Sequence, residues 1–284
     1  MAARAEHCDV VIVGTGAGGG IIAHKLAKAG LNVVSLEQGG TLPDDYFTKT
    51  APPGAKLDFG IGPSTVWPAD PHDSLFVHPL FADGVHGATT RPAGGFRHFQ
   101  ILKLNGLQNL WNGVSVRFSK DDFAGWPFGY DTLADDYSAV EKLITVCGTK
   151  EGIPELPDGE FIPPKPLRPA DKIIVSAVNA LNEPFSHAIP NRKAIITTPG
   201  LASSCISTGI CTSGCPVGAV YKFSARLLPE IAGLDNYELR TNAKVTRVLR
   251  DEGSDRVSGV EYIDTETGER RTLSARFVVL AAGA

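Results

Sequence analysis

The chain has 284 residues, 43% of them apolar, and its 27 Lys and Arg against 31 Asp and Glu leave a net charge of -4. That is enough chain to bury a core as one large domain or two modest ones, and the near balance of charge, with no dense basic run, excludes the electrostatic footprint of a nucleic-acid binder. No apolar stretch approaches the ~18 residues of a membrane span, so direct membrane insertion is not expected. The first residues lack the basic region, apolar run and cleavage site of a secretory leader, so the expected location is the cytoplasm, with carriage to the periplasm by a partner subunit as the alternative.

"DVVIVG", residues 9–14, is apolar without alternation, as in a parallel strand covered on both faces, and it runs into a glycine-rich turn. A helix follows, with Ile22 and Leu26 one turn apart, Ala23 and Ala27 beside them, and Gly30 where a C-cap belongs. Residues 31–36 read as a second buried strand, completing a βαβ unit. Residues 41–100 are rich in Pro, Gly, Asp and His and are expected to be irregular. Further on, Asp131 is placed to N-cap a helix carrying Leu133, Tyr137, Val140 and Ile144 on one face, and 150–170 reads as a proline-rich connector. A short helix is expected over 171–182, with Ile174, Val178 and Leu181. "YELRTNAKVTRVLRD" and "RVSGVEYIDTETGERRTLSA" form an antiparallel meander with turns at "EGSD" and "TETGE", leading into a final buried strand, "RFVVLAAGA". No internal repeat is visible.

Gly14, Gly16 and Gly19 form G-x-G-x-x-G between the first strand and the helix. The first glycine permits the tight turn, the second lets the backbone approach a pyrophosphate, and the third lets helix and strand pack closely. Glu37, at the end of the second strand and 23 residues after Gly14, is placed to accept hydrogen bonds from ribose hydroxyls and would repel a 2'-phosphate. The pattern predicts a dinucleotide site that disfavours NADP and leaves FAD and NAD.

Three separated segments narrow that choice. "VVSLEQGG" resembles the V-x-L-E-x-G of flavoprotein oxidoreductases. "LNGLQNLWNGVSVRFSKDDF" with "GWPFGYDTLADDY" resembles the flavin-turn segment of the glucose-methanol-choline (GMC) oxidoreductases, and the stretch from "CTSGCPVGAVYKFSARLL" through the meander to "VVLAAGA" is similar to that family's second FAD-contacting region. The resemblance implies an FAD-dependent dehydrogenase acting on the CH–OH group of a small alcohol or sugar, with an oxygen-using oxidase or a non-catalytic flavin-binding subunit as alternatives. It places Gly14, Gly16, Gly19 and Glu37 on the ADP half of FAD, the backbone of Val245 at the adenine, Ala282 and Gly283 at the pyrophosphate, and Gly106, Trp111 and Asn112 near the isoalloxazine ring. The chain departs from the family at Asn105, where a glycine is usual, at Leu107, where Ser or Thr is usual, and at Leu110, where some relatives carry a flavin-linked His. Non-covalent FAD is therefore expected.

Cys205, Cys211 and Cys215 are spaced C-x5-C-x3-C-P. The spacing suits a three-thiolate 3Fe–4S centre and resembles the sugar dehydrogenases of the family that pass electrons to a cytochrome or work with a small subunit; inert thiols and a zinc site stand beside that reading. Cys8 and Cys147 read as small buried hydrophobes. The family's catalytic His lies downstream of the "VVLAAGA" strand, so no catalytic residue is assigned here, and His24, His72, His78, His86, His98 and His187 read as surface or structural. The expected architecture is α/β: a Rossmann-like FAD-binding domain in a three-layer ββα arrangement, a parallel sheet plus an antiparallel meander, built from 6–145 and 200–284. Residues 146–199 would be part of a second, substrate-side domain. The C-terminal substrate domain would be absent, making the chain the N-terminal part of a longer enzyme or one completed by a second polypeptide.

Overall fold

Val11 and Ile12 have no solvent exposure at all in the first strand, β1 (His7–Val13), as a strand covered on both faces requires. The computed structural model describes residues 7–43, 46–47, 87–90, 98–181, 183, 186–209 and 211–283, with only the backbone described at 87–90 and 98–100. The chain divides into two compact units, Met1–Leu110, Thr212–Gly214 and Lys222–Ala284 in the first, Trp111–Cys211 and Cys215–Tyr221 in the second. The sequence boundary at residue 146 falls inside the second unit.

In the first unit, β1 is followed by helix α1 (Ala17–Lys28) and strand β2 (Val33–Leu36). Gly30, at φ +87°, closes the helix: its N–H donates to Ala27 O at 3.0 Å, while that of Leu31 donates to Leu26 O at 3.2 Å. The buried face of α1 consists of Gly20, Ala23, His24 and Ala27 rather than the expected Ile22 and Leu26, which are half-buried. Close approach explains the difference, because Phe223 presses on Gly20, where a Cβ would lie 2.5 Å from its ring. Two short helices, α4 (Phe223–Arg226) and α5 (Leu228–Ile231), bring Phe223, Leu227 and Ile231 into the core, and Glu230 accepts from buried His24 at 3.0 Å.

Strands β7 (Tyr237–Arg240), β8 (Ala243–Arg250), β9 (Val257–Asp264) and β10 (Arg270–Leu280) complete a six-stranded mixed sheet in the order β7-β2-β1-β10-β9-β8. β7, β2, β1 and β10 run parallel, whereas β10, β9 and β8 are antiparallel. Long β10 serves both parts: Arg270–Ser274 pairs with β9, and Ser274–Leu280 pairs with β1. The meander folds back over the parallel part, where Arg240 reaches Tyr262 Oη at 3.0 Å and the N–H of Ala243 donates to Glu37 O at 2.8 Å. Cys8, Val11, Val34, Leu36, Val260, Tyr262 and Leu273 fill the space between them. Cys8 is a small core residue, its thiol pushed up to about 11 by burial.

The structure revises several local expectations. "YELRTNAKVTRVLRD" is two strands, because Asn242, at φ +56°, turns the chain from the parallel sheet's edge into the meander. The final strand is buried only in part: Phe277 and Leu280 are 60% and 68% exposed, and beyond Ser274, where its pairing with β9 ends, no described strand pairs with that edge of β10. Within 41–100, Gly87–Thr90 (β3) and His98–Ile101 (β4) pair antiparallel, and most of the remainder lies outside the described residues.

In the second unit, helix α2 (Ala134–Ile144) follows a separate 3-10 turn over Tyr130–Thr132, so Leu133 takes the N-cap position and Asp131 pairs with Lys120 at 3.2 Å instead. Glu141 on α2 meets buried Arg117 at 2.6 Å, and Arg117 also donates to Tyr130 Oη at 2.9 Å. After β5 (Val146–Cys147), helix α3 (Pro169–Ala180) has no buried residue, so the expected face of Ile174, Val178 and Leu181 is not a core face. Arg192, beside β6 (Lys193–Ala194), ties down the connector through Leu156 O at 3.0 Å and the carboxylates of Glu151 and Asp158 at 3.0 and 2.8 Å. Among the described residues, no helix is long and apolar enough to cross a membrane.

Candidate functional site

The carboxyl ends of β1, β2 and β10 converge on one glycine-rich turn. The N–H of Gly14 donates to Leu36 O at 2.8 Å and that of Ala281 to Val13 O at 2.9 Å, so residues from both ends of the sequence meet there. Gly14 has φ +94°, and a Cβ on it would sit 2.5 Å from Ala281 O and 3.1 Å from the Cα of Ala282. A Cβ on Gly19 would lie 2.0 Å from Gly14 O, so this glycine is what lets α1 pack against the turn.

Gly16 is different. It is the N-cap of α1, and a Cβ there would meet nothing among the described residues within 4 Å, nor would one on Gly18. The first intrahelical bond runs from Gly20 N–H to Gly16 O, which leaves the N–H groups of Ala17, Gly18 and Gly19 without intrahelical acceptors. No acidic residue lies in this first turn. Open space, free donors and the positive end of a helix dipole make a cradle for an anion such as a pyrophosphate.

Glu37 borders the cradle at the end of β2. One carboxyl oxygen accepts from Thr15 N–H at 3.1 Å and Thr15 Oγ1 at 2.6 Å, and the other accepts from Gly39 N–H at 3.0 Å. Burial raises its pKa, while the Thr15 and Gly39 donors act in the opposite direction. The carboxyl is thus fixed, with lone pairs left for ribose hydroxyls. Thr15 does not stand out in the sequence, although a hydroxyl between two motif glycines is the signal that points to it.

Ala282 and exposed Gly283, at φ +86°, continue past Gly14 along the same rim. Val245 lies on β8 opposite Tyr262, beside a register shift between Val245 and Arg247, two residues beyond the Ala243 anchor on Glu37. The structure therefore brings Gly14, Gly16, Gly19, Glu37 and Ala282 together, with Gly283 and Val245 continuing from them. Gly106, also in the first unit, sits at φ +55° in an open turn.

Trp111 and Asn112 belong to the second unit. Trp111 Nε1 donates to Tyr221 O at 2.9 Å and its ring packs against a cluster of Cys147, Ile195, Ala219 and Val220; the Asn112 carbonyl accepts from Val114 N–H at 3.2 Å. Cys205, Cys211 and Cys215 pack half-buried against the same cluster. Backbone N–H groups of Ser207 and Ala219 point at the sulfurs of Cys205 and Cys215, at 3.4 and 3.2 Å, and burial raises the Cys211 thiol. Among the described residues, no group of three His, Cys, Asp or Glu side chains is placed to hold a metal ion. The three cysteines named from spacing gather at this one cluster, with Cys211 near enough to Cys205 and Cys215 to interact electrostatically. His24 is structural and His187 exposed; His72, His78 and His86 lie outside the described residues, as does the side chain of His98.

The chain is similar to known proteins along most of its length. Residues 172–284 match the family described as GMC oxidoreductase. The chain is 27% identical to the 2-methyl-1,2-propanediol dehydrogenase of Mycolicibacterium austroafricanum, over 99% of this chain and 50% of that protein. It is 29% identical to the paromamine 6'-oxidase of Streptomyces fradiae, over 97% and 47%. The crystal structure of a pyridoxine 4-oxidase from Mesorbium loti superposes on 98% of this chain and 50% of that one, with a TM-score of 0.60 at 18% identity. The likeness shows a shared α/β fold, and the chain spans about half the length of the curated relatives it matches.

Proposed function

With residues 172–284 carrying the GMC oxidoreductase sequence, we propose that this chain supplies the FAD-holding part of an FAD-dependent oxidoreductase of that family that oxidises CH–OH groups of small alcohols or sugars, as a dehydrogenase. The observation that carries this reading is the cradle. Among the described residues, Gly16 and Gly18 have no neighbour within 4 Å of a Cβ and the three N–H groups beneath them have no acceptor, beside a buried carboxyl fixed by Thr15 and Gly39. FAD is the dinucleotide favoured here, because residues 172–284 match GMC oxidoreductase and the sequence resemblance to that family reaches the flavin turn.

The residues divide the work of binding. The first turn of α1 holds the pyrophosphate through backbone N–H groups, and Ala282 and Gly283 line its other side. Glu37 accepts from the ribose hydroxyls and turns away a 2'-phosphate by charge. Val245 presents strand backbone to the adenine. Leu110, buried among Ile101, Leu42, Tyr46 and Phe47, offers no nucleophile for a covalent link, so the cofactor is held by contacts alone. Bound FAD supplies the hydride acceptor for alcohol oxidation.

The test is titration of the purified chain with FAD, NAD and NADP, followed by flavin fluorescence and by the thermal midpoint. The reading expects one FAD per chain, a raised midpoint with FAD and no binding of NADP. Tight NAD binding without FAD binding would overturn it.

A further inference from the structure

We propose that Asn105 is a positioning residue for the flavin: its side chain, with Asn109 and Ser224, ties the turn that carries Gly106 to the helix layer that carries the nucleotide cradle. This rests on the FAD reading above.

Asn105 stands at φ +77°, in left-handed geometry that favours glycine, and glycine is what the resemblance would lead one to expect there. A side chain kept at a strained position needs a use, and the structure gives it three hydrogen bonds. The Asn105 carbonyl accepts from Ser224 N–H at 2.8 Å; its amide donates to Ser224 Oγ at 2.9 Å and to Asn109 Oδ1 at 3.3 Å. The Asn109 amide then donates to Leu104 O and Gly106 O, both at 2.9 Å, spanning the turn from beneath. Asn105 and Asn109 are both buried. Buried amides left unbonded are costly, so a network whose members satisfy one another holds one arrangement of the turn.

The tie leads toward the cradle. Ser224 lies in the first turn of α4, next to Phe223, whose ring presses on Gly20 of α1. Gly20 donates to Gly16, the residue that opens the cradle. At the other end of the network, Gly106 has open space around it and Leu107 projects 51% exposed at the tip. Leu107 cannot donate the hydroxyl hydrogen bond usual in the family, so the position of the turn rests on the polar groups beneath it.

Replacing Asn105 with glycine separates two accounts. If only the left-handed backbone matters, Asn105→Gly relieves strain, raises the thermal midpoint and leaves the flavin untouched. If the side chain is the tie, the same change frees the turn. The experiment compares the whole chain with Asn105→Gly and, as a milder variant that keeps the Ser224 N–H, Ser224→Ala. Amide hydrogen exchange over 105–110 and at Ser224 is read without cofactor; FAD affinity and the visible absorption and circular dichroism of bound FAD are read with it. We expect Asn105→Gly to speed exchange at these amides about tenfold, to weaken FAD about tenfold and to shift the flavin bands, with Ser224→Ala moving each in the same direction by less. Unchanged exchange in both variants overturns the tie. Faster exchange with an unchanged flavin spectrum and affinity overturns the positioning role while leaving the FAD reading intact. A wild-type chain that binds no FAD removes that reading and the positioning role with it.

Discussion

The two units use similar polar residues to opposite ends. In the second, Arg117 and Arg192 are buried and enclosed: Arg117 is bonded to Glu141, Tyr130 and Ser138, and Arg192 to three carbonyls and two carboxylates. Both guanidinium groups are engaged in holding the second unit together, although Arg192 Nε finds no partner among the described residues. In the first, the polar groups at the mouth of the parallel sheet are left available among the described residues, with N–H groups that have no acceptor and a carboxyl bonded through both oxygens yet with lone pairs left over. Buried charge alone therefore does not mark a site; an unengaged donor beside open volume does.

The comparison breaks most visibly at the enclosed charges. Glu141→Gln leaves Arg117 buried without its carboxylate, and a loss of about 3–5 kcal/mol in chemical denaturation is expected, with any protein that stays folded binding FAD as before. A loss of FAD affinity in that folded fraction would erase the distinction between the units. Gly19→Ala comes next. Its methyl would lie 2.0 Å from Gly14 O, so helix and strand must part, at roughly 1–3 kcal/mol and with loss of the cradle's shape, as thermal melts and FAD titration would show.

Glu37 sharpens the comparison through pH. Its raised pKa means that the folded apo chain binds this proton more tightly than the unfolded chain does. Its contribution is therefore fully present below the ordinary carboxylate pKa and is lost as pH rises through the raised value. Denaturation of wild type and Glu37→Gln across that window should show a decline in wild type that the variant lacks; parallel curves would contradict the burial argument. The smallest stability change is expected on α3, where Ile174→Ser on an exposed face should shift stability by less than about 0.5 kcal/mol.

Much of the first unit is legible because its signals are local. The run at 9–13, the three glycines, Glu37 and the turns "EGSD" and "TETGE" each dictate their own geometry within a few residues. Position in the sheet is less so: nothing local says that Tyr237–Arg240 pairs with β2 while Ala243–Arg250, a short turn later, joins the meander. Ala23 and Ala27 on the buried face of α1 are legible, but Gly20 and His24 are not, because Phe223, far along the chain, sets the close approach at Gly20. The Asn105 network is hidden for the same reason, since its partner Ser224 is distant in sequence. The cysteine spacing brings Cys205, Cys211 and Cys215 to one cluster, but spacing fixes the loop and not where its sulfurs point.

The central claim is that the space above Gly16 is reserved for a ligand phosphate. Gly16 has ordinary φ, -66°, and a methyl added to it would meet nothing among the described residues within 4 Å, so Gly16→Ala should cost the apo chain no more than the loss of a good N-cap, about 1 kcal/mol or a few degrees of thermal midpoint. In the proposed binding mode the same methyl would stand where the pyrophosphate sits. An FAD titration of wild type and Gly16→Ala should therefore show saturable one-to-one binding in the first and affinity weakened about 100-fold in the second. Equal FAD binding by the two proteins would contradict the account.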